Sequence, residues 1–170
     1  MISERSGSVR GGRAPHRMSL KERTTWKTYT AVVAVAVAFN FPWEMLQAPL
    51  YRMETGGWPL WLHCLRASLG DGLLVLLILV LGVWILRRRD WFRRPGGSGY
   101  AWMLVSGAIF AVALEWTAVH VLKRWSYEPA MPMLPGLGIG LVPIAQMLVL
   151  PPAIFAVAAR LRSFAMRPAP

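Results

Sequence analysis

Carboxyl groups lie inside long apolar runs of this sequence. Glu115 falls within the run 108–119, Glu44 and Asp71 interrupt two other apolar segments, and Gln146 places an amide in a fourth. A carboxylate at the centre of a bilayer costs roughly 2.5–3.5 kcal/mol on insertion scales, so it is retained where it has a partner or a function. Desolvated carboxyl groups held against a second ionisable group are typical of general acid–base catalysis. The sequence therefore predicts Glu115, Glu44 and Asp71 as catalytic residues.

Four apolar segments must position these groups. Each is about 20 residues long, the length of helix that crosses about 30 Å of hydrocarbon, and 55% of all residues are hydrophobic against 16% charged. The segments are 28–48, 64–86, 101–122 and 137–159. We expect an all-α polytopic membrane protein, with a four-helix transmembrane bundle over 28–162. A disordered basic tail over 1–27, with Met18 as an alternative start, precedes it and a second tail over 163–170 follows.

Charge predicts the orientation of the helices. Fifteen of the 19 Lys and Arg residues lie in the first tail, in the loop 87–94 or from Arg160 onward. The positive-inside rule then places both termini in the cytoplasm, which predicts a multi-pass protein of the bacterial inner membrane. A cationic collar on anionic lipid explains the net charge of +11, so the expected partner is the bilayer and not a nucleic acid. The alternative of a cleaved signal peptide rests on Ala36-Val37-Ala38.

Tryptophan residues cluster near the ends of the apolar runs, as in the aromatic belt of membrane proteins. This belt would comprise Trp26, Trp43, Trp58, Trp61, Trp84, Trp91, Trp102 and Trp125.

Polar residues recur at one depth in all four helices. Spacings of i, i+4 and i+7 place them on a single face of the first helix and of the second. The set comprises Asn40, Glu44, Gln47, Cys64, Ser68, Asp71, Glu115, His120 and Gln146. Because lipid-facing charge is unfavourable, these faces should converge in one polar pocket that opens to the outer leaflet. Pro42 and Pro143 break the helices beside it, which is frequent at ligand sites in membranes.

Other chemistries remain open. The polar side chains would serve as interhelical hydrogen bonds, at about 0.6 kcal/mol each, in a purely structural protein. No His-x-x-x-His or Glu-x-x-His spacing occurs, so we predict no metal or cofactor, and a haem between His63 and His120 is an alternative. Cys64 is the single cysteine, which excludes an internal disulfide. Ser68 and Cys64 are nucleophiles without a recognisable motif.

Short motifs resemble those of known membrane families. Pro42-Trp43-Glu44, Trp125-Ser126-Tyr127 and the segment 140–146 are similar to the Pro-Trp-Asp, Trp-x-Tyr and Pro-x-Glu-Glu elements of small membrane lycopene cyclases. The resemblance implies carboxyl groups that protonate and close a polyene, although Ala145 and Gln146 replace the paired glutamates. Residues 40–152 resemble uncharacterised four-helix bacterial membrane proteins more extensively, through 43–51, Glu115-Trp116 and 125–132, which implies no activity.

These observations predict a membrane-embedded acid–base enzyme, or a binding protein, for an amphipathic isoprenoid-like lipid. Glu115 and Glu44 would act as acid and base, with Asp71 beside them. The predicted binding residues are Asn40, Gln47, Gln146, Trp43, Trp116, His120, Trp125 and Tyr127, whose aromatic members suit a polyene or a carbocation. The alternatives are an accessory subunit of a larger membrane complex and a small proton-coupled carrier, which would have to form a homo-oligomer.

Overall fold

Four long helices make up most of the part of the chain that the structure describes. The computed structural model describes residues 20–52 and 57–165, with side chains described over 26–52 and 57–161. The helices are α1 (Leu20–Gln47), α2 (Leu60–Ile85), α3 (Gly96–Trp116) and α4 (Leu141–Ala165). Each helix is long and apolar enough to cross a membrane, which confirms the predicted number and type of elements.

The boundaries of all four helices differ from the predicted segments: α2 begins at Leu60 and not at 64, and α3 spans Gly96–Trp116 and not 101–122. α1 begins at Leu20, so the second part of the predicted tail is helical, while 1–19 lie outside the described residues. α4 begins at Leu141 and not at 137. The preceding turn holds Gly136 at φ 81° and Gly138 at φ 63°, a conformation that L side chains rarely adopt and that cannot continue a right-handed helix.

Small residues let the helices approach closely. α1 packs mainly on α2 and α4, and α3 packs mainly on α4. Pro151 in α4 has no N–H to donate to the carbonyl of Met147, one turn earlier. Gly107 of α3 lies directly against that carbonyl, and a Cβ at Gly107 would overlap it. The proline and the glycine thus occupy the same contact between α3 and α4.

Large apolar side chains cover the outside of the bundle. Leu46 is 80% exposed and Trp84 is 78% exposed, as expected for surfaces that meet lipid. Trp91 is the exception among the predicted belt residues, because it is fully buried. Its ring fills the space beside Gly82, where an added Cβ would come within 2.5 Å of the indole. The prediction that Trp91 belongs to the aromatic belt was wrong.

Two-residue strands join the connecting loops at one end of the bundle. β1 (Tyr51–Arg52) follows α1 and pairs antiparallel with β2 (Ser126–Tyr127), which precedes α4. Tyr51 lies opposite Tyr127 in this pairing. A second hairpin, of β3 (Met133–Leu134) with β4 (Ile139–Gly140), leads directly into α4.

An ion pair closes the β1–β2 connection. Both carboxylate oxygens of Glu128 accept hydrogen bonds from the Arg52 guanidinium, at 2.6 and 2.9 Å. The hydrogen bond from Arg52 lowers the pKa of Glu128, and the same bond raises the pKa of Arg52. Both groups are therefore charged near neutral pH, and the pairing fixes the loops above the polar end of the helices.

Candidate functional site

Five polar side chains from three helices form one hydrogen-bonded group, here named the amide–carboxyl cluster. Its members are Asn40, Glu44 and Gln47 of α1, Asp71 of α2 and Gln146 of α4. Gln146 lies at the centre, because its Nε2 lies 2.8 Å from Asn40 Oδ1, 2.9 Å from Glu44 Oε1 and 3.0 Å from Asp71 Oδ2. Gln47 Nε2 donates to Glu44 Oε1 at 2.7 Å and to Gln146 Oε1 at 3.0 Å. The cluster ties α1 to both of its neighbours.

The cluster contains more acceptor oxygens than its amide N–H groups can satisfy. The Gln146 amide has two N–H groups, yet three oxygens surround its nitrogen. Glu44 and Asp71 both lie within 3.0 Å of Gln146 Nε2, and they interact electrostatically with each other. Neither forms a salt bridge with a cationic side chain in the described part of the chain. The Glu44–Asp71 pair thus shares one amide group.

Glu115 lies in a different setting, among three aromatic donors that we name the Glu115 cage: Tyr51, Trp125 and Tyr127. Tyr51 Oη lies 3.5 Å from Glu115 Oε1, and Trp125 Nε1 lies 3.4 Å from Oε2. The Tyr127 hydroxyl donates a short hydrogen bond to the same Oε2. All three groups are donors toward an acceptor, the pattern that a carboxylate requires. Glu115 itself is 8% exposed.

The two tyrosines are held as proton donors. Burial raises the pKa of Tyr51, and the charge of Glu115 raises it further. Burial also raises the pKa of Tyr127, followed by its hydrogen bond to Glu115. Their rings pack on each other with centroids 5.5 Å apart, so β1–β2 pairing brings both hydroxyls to the same carboxyl. Both phenols therefore stay protonated well above neutral pH.

The two groups occupy one polar region of the bundle. Glu115 interacts electrostatically with Glu44, and Asp71 interacts electrostatically with both. The charges of Glu44 and Asp71 also raise the pKa of Tyr51. The structure thus brings the three predicted catalytic carboxyls together from α1, α2 and α3.

Other predicted residues occupy different positions. Trp43 is half-buried and donates from Nε1 to Gln47 Oε1 at 3.2 Å, at the edge of the amide–carboxyl cluster. His120 and Trp116 are exposed and pack on each other with ring centroids 5.6 Å apart. His120 Nε2 lies 3.0 Å from the carbonyl of Leu137. Neither of these last two side chains is hydrogen-bonded to the cluster or the cage among the described contacts.

The second-helix polar face contributes only Asp71. Ser68 Oγ donates to the carbonyl of Cys64 at 2.7 Å, within α2 itself, which is the usual local bond of a helical serine. Among the described residues, no three His, Cys, Asp or Glu side chains are grouped so as to hold a metal ion. The chemistry of the site accordingly depends on carboxyl, amide and phenol groups.

Sequence reasoning missed Tyr51. The signal was present, because Tyr51 continues the spacing of Asn40, Glu44 and Gln47 by one further turn. The predicted first segment ends at 48, so Tyr51 lies outside it. The single turn of 3₁₀ helix Ala48–Leu50 prolongs the path of α1, and this turn carries Tyr51 to Glu115.

Comparison with known proteins found no matching family model, no matching curated protein and no matching solved structure. The chemistry of the site is the remaining guide to function. The Glu44–Asp71 pair, which shares the Gln146 amide, lies in the same polar region as Glu115, whose carboxyl oxygens accept three hydrogen bonds. Carboxyl groups held in unlike settings are typical of acid–base catalysis.

Proposed function

We propose that the protein is a multi-pass enzyme of the bacterial inner membrane that performs acid–base chemistry on an amphipathic, isoprenoid-like lipid. The observation that carries the proposal is the pairing of two unlike carboxyl centres, the Glu44–Asp71 pair and the caged Glu115. Where two carboxyl groups lie in different environments, one can act as the acid while the other stays ionised and acts as the base. A substrate that reaches this region must enter among apolar helices, which favours a lipid over a water-soluble molecule.

The proposed reaction needs no oxidant or reductant. The Glu44–Asp71 pair transfers its proton to a carbon–carbon double bond, so that an O–H bond breaks and a C–H bond forms. The Glu115 carboxylate stabilises the resulting carbocation, and the aromatic rings around it do the same through their faces. Glu115 then removes a proton from a neighbouring carbon and restores a double bond. The net result is an isomerised or cyclised lipid. Between turnovers Glu115 releases its proton to water and the Glu44–Asp71 pair takes up a proton from water, which completes the cycle.

Heavy water tests this reaction directly. Lipid extraction and native mass spectrometry of the purified protein identify any co-purifying lipid. Proteoliposomes that contain lycopene or a polyprenyl alcohol supply defined substrates for the assay in heavy water. Each turnover in heavy water should add one deuterium to the product. Glu115→Gln and Asp71→Asn should lower the rate about 10²–10⁴-fold, the usual contribution of a general acid or base. Asp90→Asn removes a carboxylate at the opposite end of the bundle and is the matched control.

A structural role is the competing function. Every buried side-chain nitrogen and oxygen in the described residues has a hydrogen-bond partner, as expected of interhelical contacts in an accessory subunit. The stability of Glu115→Leu separates the two. If this variant is more stable than the wild type and Glu115→Gln retains all cellular function, the carboxylate is a packing element and the enzyme proposal fails.

The proposed topology has its own test. Both termini and the loop 87–94 face the cytoplasm in this proposal, because 15 of the 19 cationic residues lie there. Reporter fusions after Arg94 and after Arg162 should give cytoplasmic signals, whereas fusions after Gly57 and after Pro132 should give external ones. An external signal at Arg94 would reverse the proposed orientation.

A further inference from the structure

A cavity lies at the opposite end of the bundle from the three carboxyls. Its volume is about 610 Å³, and it is bounded by the α2–α3 loop, the start of α3 and the last part of α4. Arg93, Arg94 and Arg160 line its polar part, together with Asp90. Apolar and aromatic side chains line the remainder, among them Met103, Phe155 and Ala156. One wall is thus cationic and the other is suited to hydrocarbon.

The loop that carries two of these arginines is firmly anchored. Trp91 is buried between α2 and α4, where its Nε1 donates to the carbonyl of Leu79 at 3.1 Å. Its ring packs against Phe155 of α4, with centroids 5.3 Å apart. Arg88 Nη2 donates to the carbonyl of Arg94 at 3.1 Å, on the other side of the turn. The backbone of the loop that carries Arg93 and Arg94 is therefore held in place by its packing on α2 and α4.

The cavity has an excess of positive charge. None of its three guanidinium groups forms a salt bridge with Asp90 or with any other carboxylate in the described residues. Pro95 lines the cavity and directly precedes α3, so the partial positive charge of that helix N-terminus adds to the field. Three unpaired arginines around one acid are arranged to receive an anion with several oxygens.

We propose that this cavity binds the headgroup of an anionic phospholipid. Arg93, Arg94 and Arg160 contact the phosphate oxygens, and the first part of the acyl chains lies against Phe155 and Ala156. Basic pockets between membrane helices are suited to such headgroups, and the apolar wall favours a lipid over free phosphate. The proposal requires that the protein resides in a membrane, but it does not depend on catalysis at the other end.

Native mass spectrometry of the full chain in detergent tests the site with two probes, dioleoylphosphatidylglycerol and dioleoylphosphatidylcholine. The wild type should retain the anionic lipid preferentially. Each arginine near a membrane surface contributes about fivefold in affinity, so Arg93→Gln/Arg94→Gln should weaken phosphatidylglycerol binding about 25-fold and Arg160→Gln about fivefold. Arg87→Gln/Arg89→Gln changes the same loop by the same charge outside the cavity, and it should leave binding within twofold. Equal losses in both double variants would show a diffuse cationic surface and overturn the proposal.

A charge-preserving variant tests the apolar wall. Ala156→Trp adds a large ring at an exposed position of the cavity wall, which should lower phosphatidylglycerol binding at least tenfold without altering the net charge. Unchanged lipid binding in this variant would place the lipid elsewhere. Inorganic phosphate serves as competitor: if millimolar phosphate displaces the lipid completely, the cavity is a site for free phosphate and the lipid proposal is wrong.

Discussion

Replacing Gln146 by Leu should destabilise the bundle substantially. Three oxygens surround the Nε2 atom of Gln146, and its Oε1 accepts one hydrogen bond. The two N–H groups satisfy two of those oxygens at a time, so three interhelical hydrogen bonds at about 0.6 kcal/mol each give an expected loss of about 1.8 kcal/mol in the free energy of unfolding. Leucine fills nearly the same space, so packing changes little. The Glu44–Asp71 pair also loses the amide that it shares.

Equilibrium unfolding in mixed detergent micelles measures this loss. Ser106→Ala is the control, because Ser106 Oγ is buried but donates locally to the carbonyl of Trp102 at 2.5 Å. That carbonyl keeps its helical partner, so the control should change stability by less than about 0.5 kcal/mol. A Gln146→Leu protein as stable as the wild type would refute the reasoning, because the cluster would then contribute nothing to the contact between α1 and α4.

Further outcomes follow from close contacts and from charge. Gly107→Ala should lower stability by about 1–3 kcal/mol, because its methyl group meets the backbone of α4, whereas Gly70→Ala, with open space around it, should be neutral or stabilising. The raised pKa of Tyr127 means that Tyr127→Phe leaves tyrosinate absorbance near pH 10 unchanged, and a decrease there would contradict the buried assignment. The hydrogen bond from Arg52 lowers the pKa of Glu128, so the ionised Glu128 stabilises the β1–β2 pairing above about pH 4.3. This stabilisation is lost as the pH falls and the carboxylate becomes protonated. The protection of the β1 and β2 amides, relative to their intrinsic exchange rate at each pH, should therefore decrease in acid, and Glu128→Gln should remove that decrease.

The four helices and most of the site were predictable because hydrophobic length and helical periodicity act locally. The spacing of Asn40, Glu44 and Gln47 placed them on one face, and the structure joins all three through Gln146. Periodicity does not report on loops, so the pairing of Tyr51 with Tyr127 was not foreseen. It also does not distinguish an interfacial indole from a buried one, because the space that receives Trp91 is created by another helix.

The pairing of loops across the bundle has a consequence for biogenesis. Glu115 receives hydrogen bonds from Tyr51, which is synthesised before it, and from Trp125 and Tyr127, which are synthesised after it. When α3 first enters a membrane, its carboxyl group lacks the partners that its own C-terminal loop will bring. In the proposed membrane topology, α3 therefore gains the full set of partners for its carboxyl group only after the following loop has been synthesised.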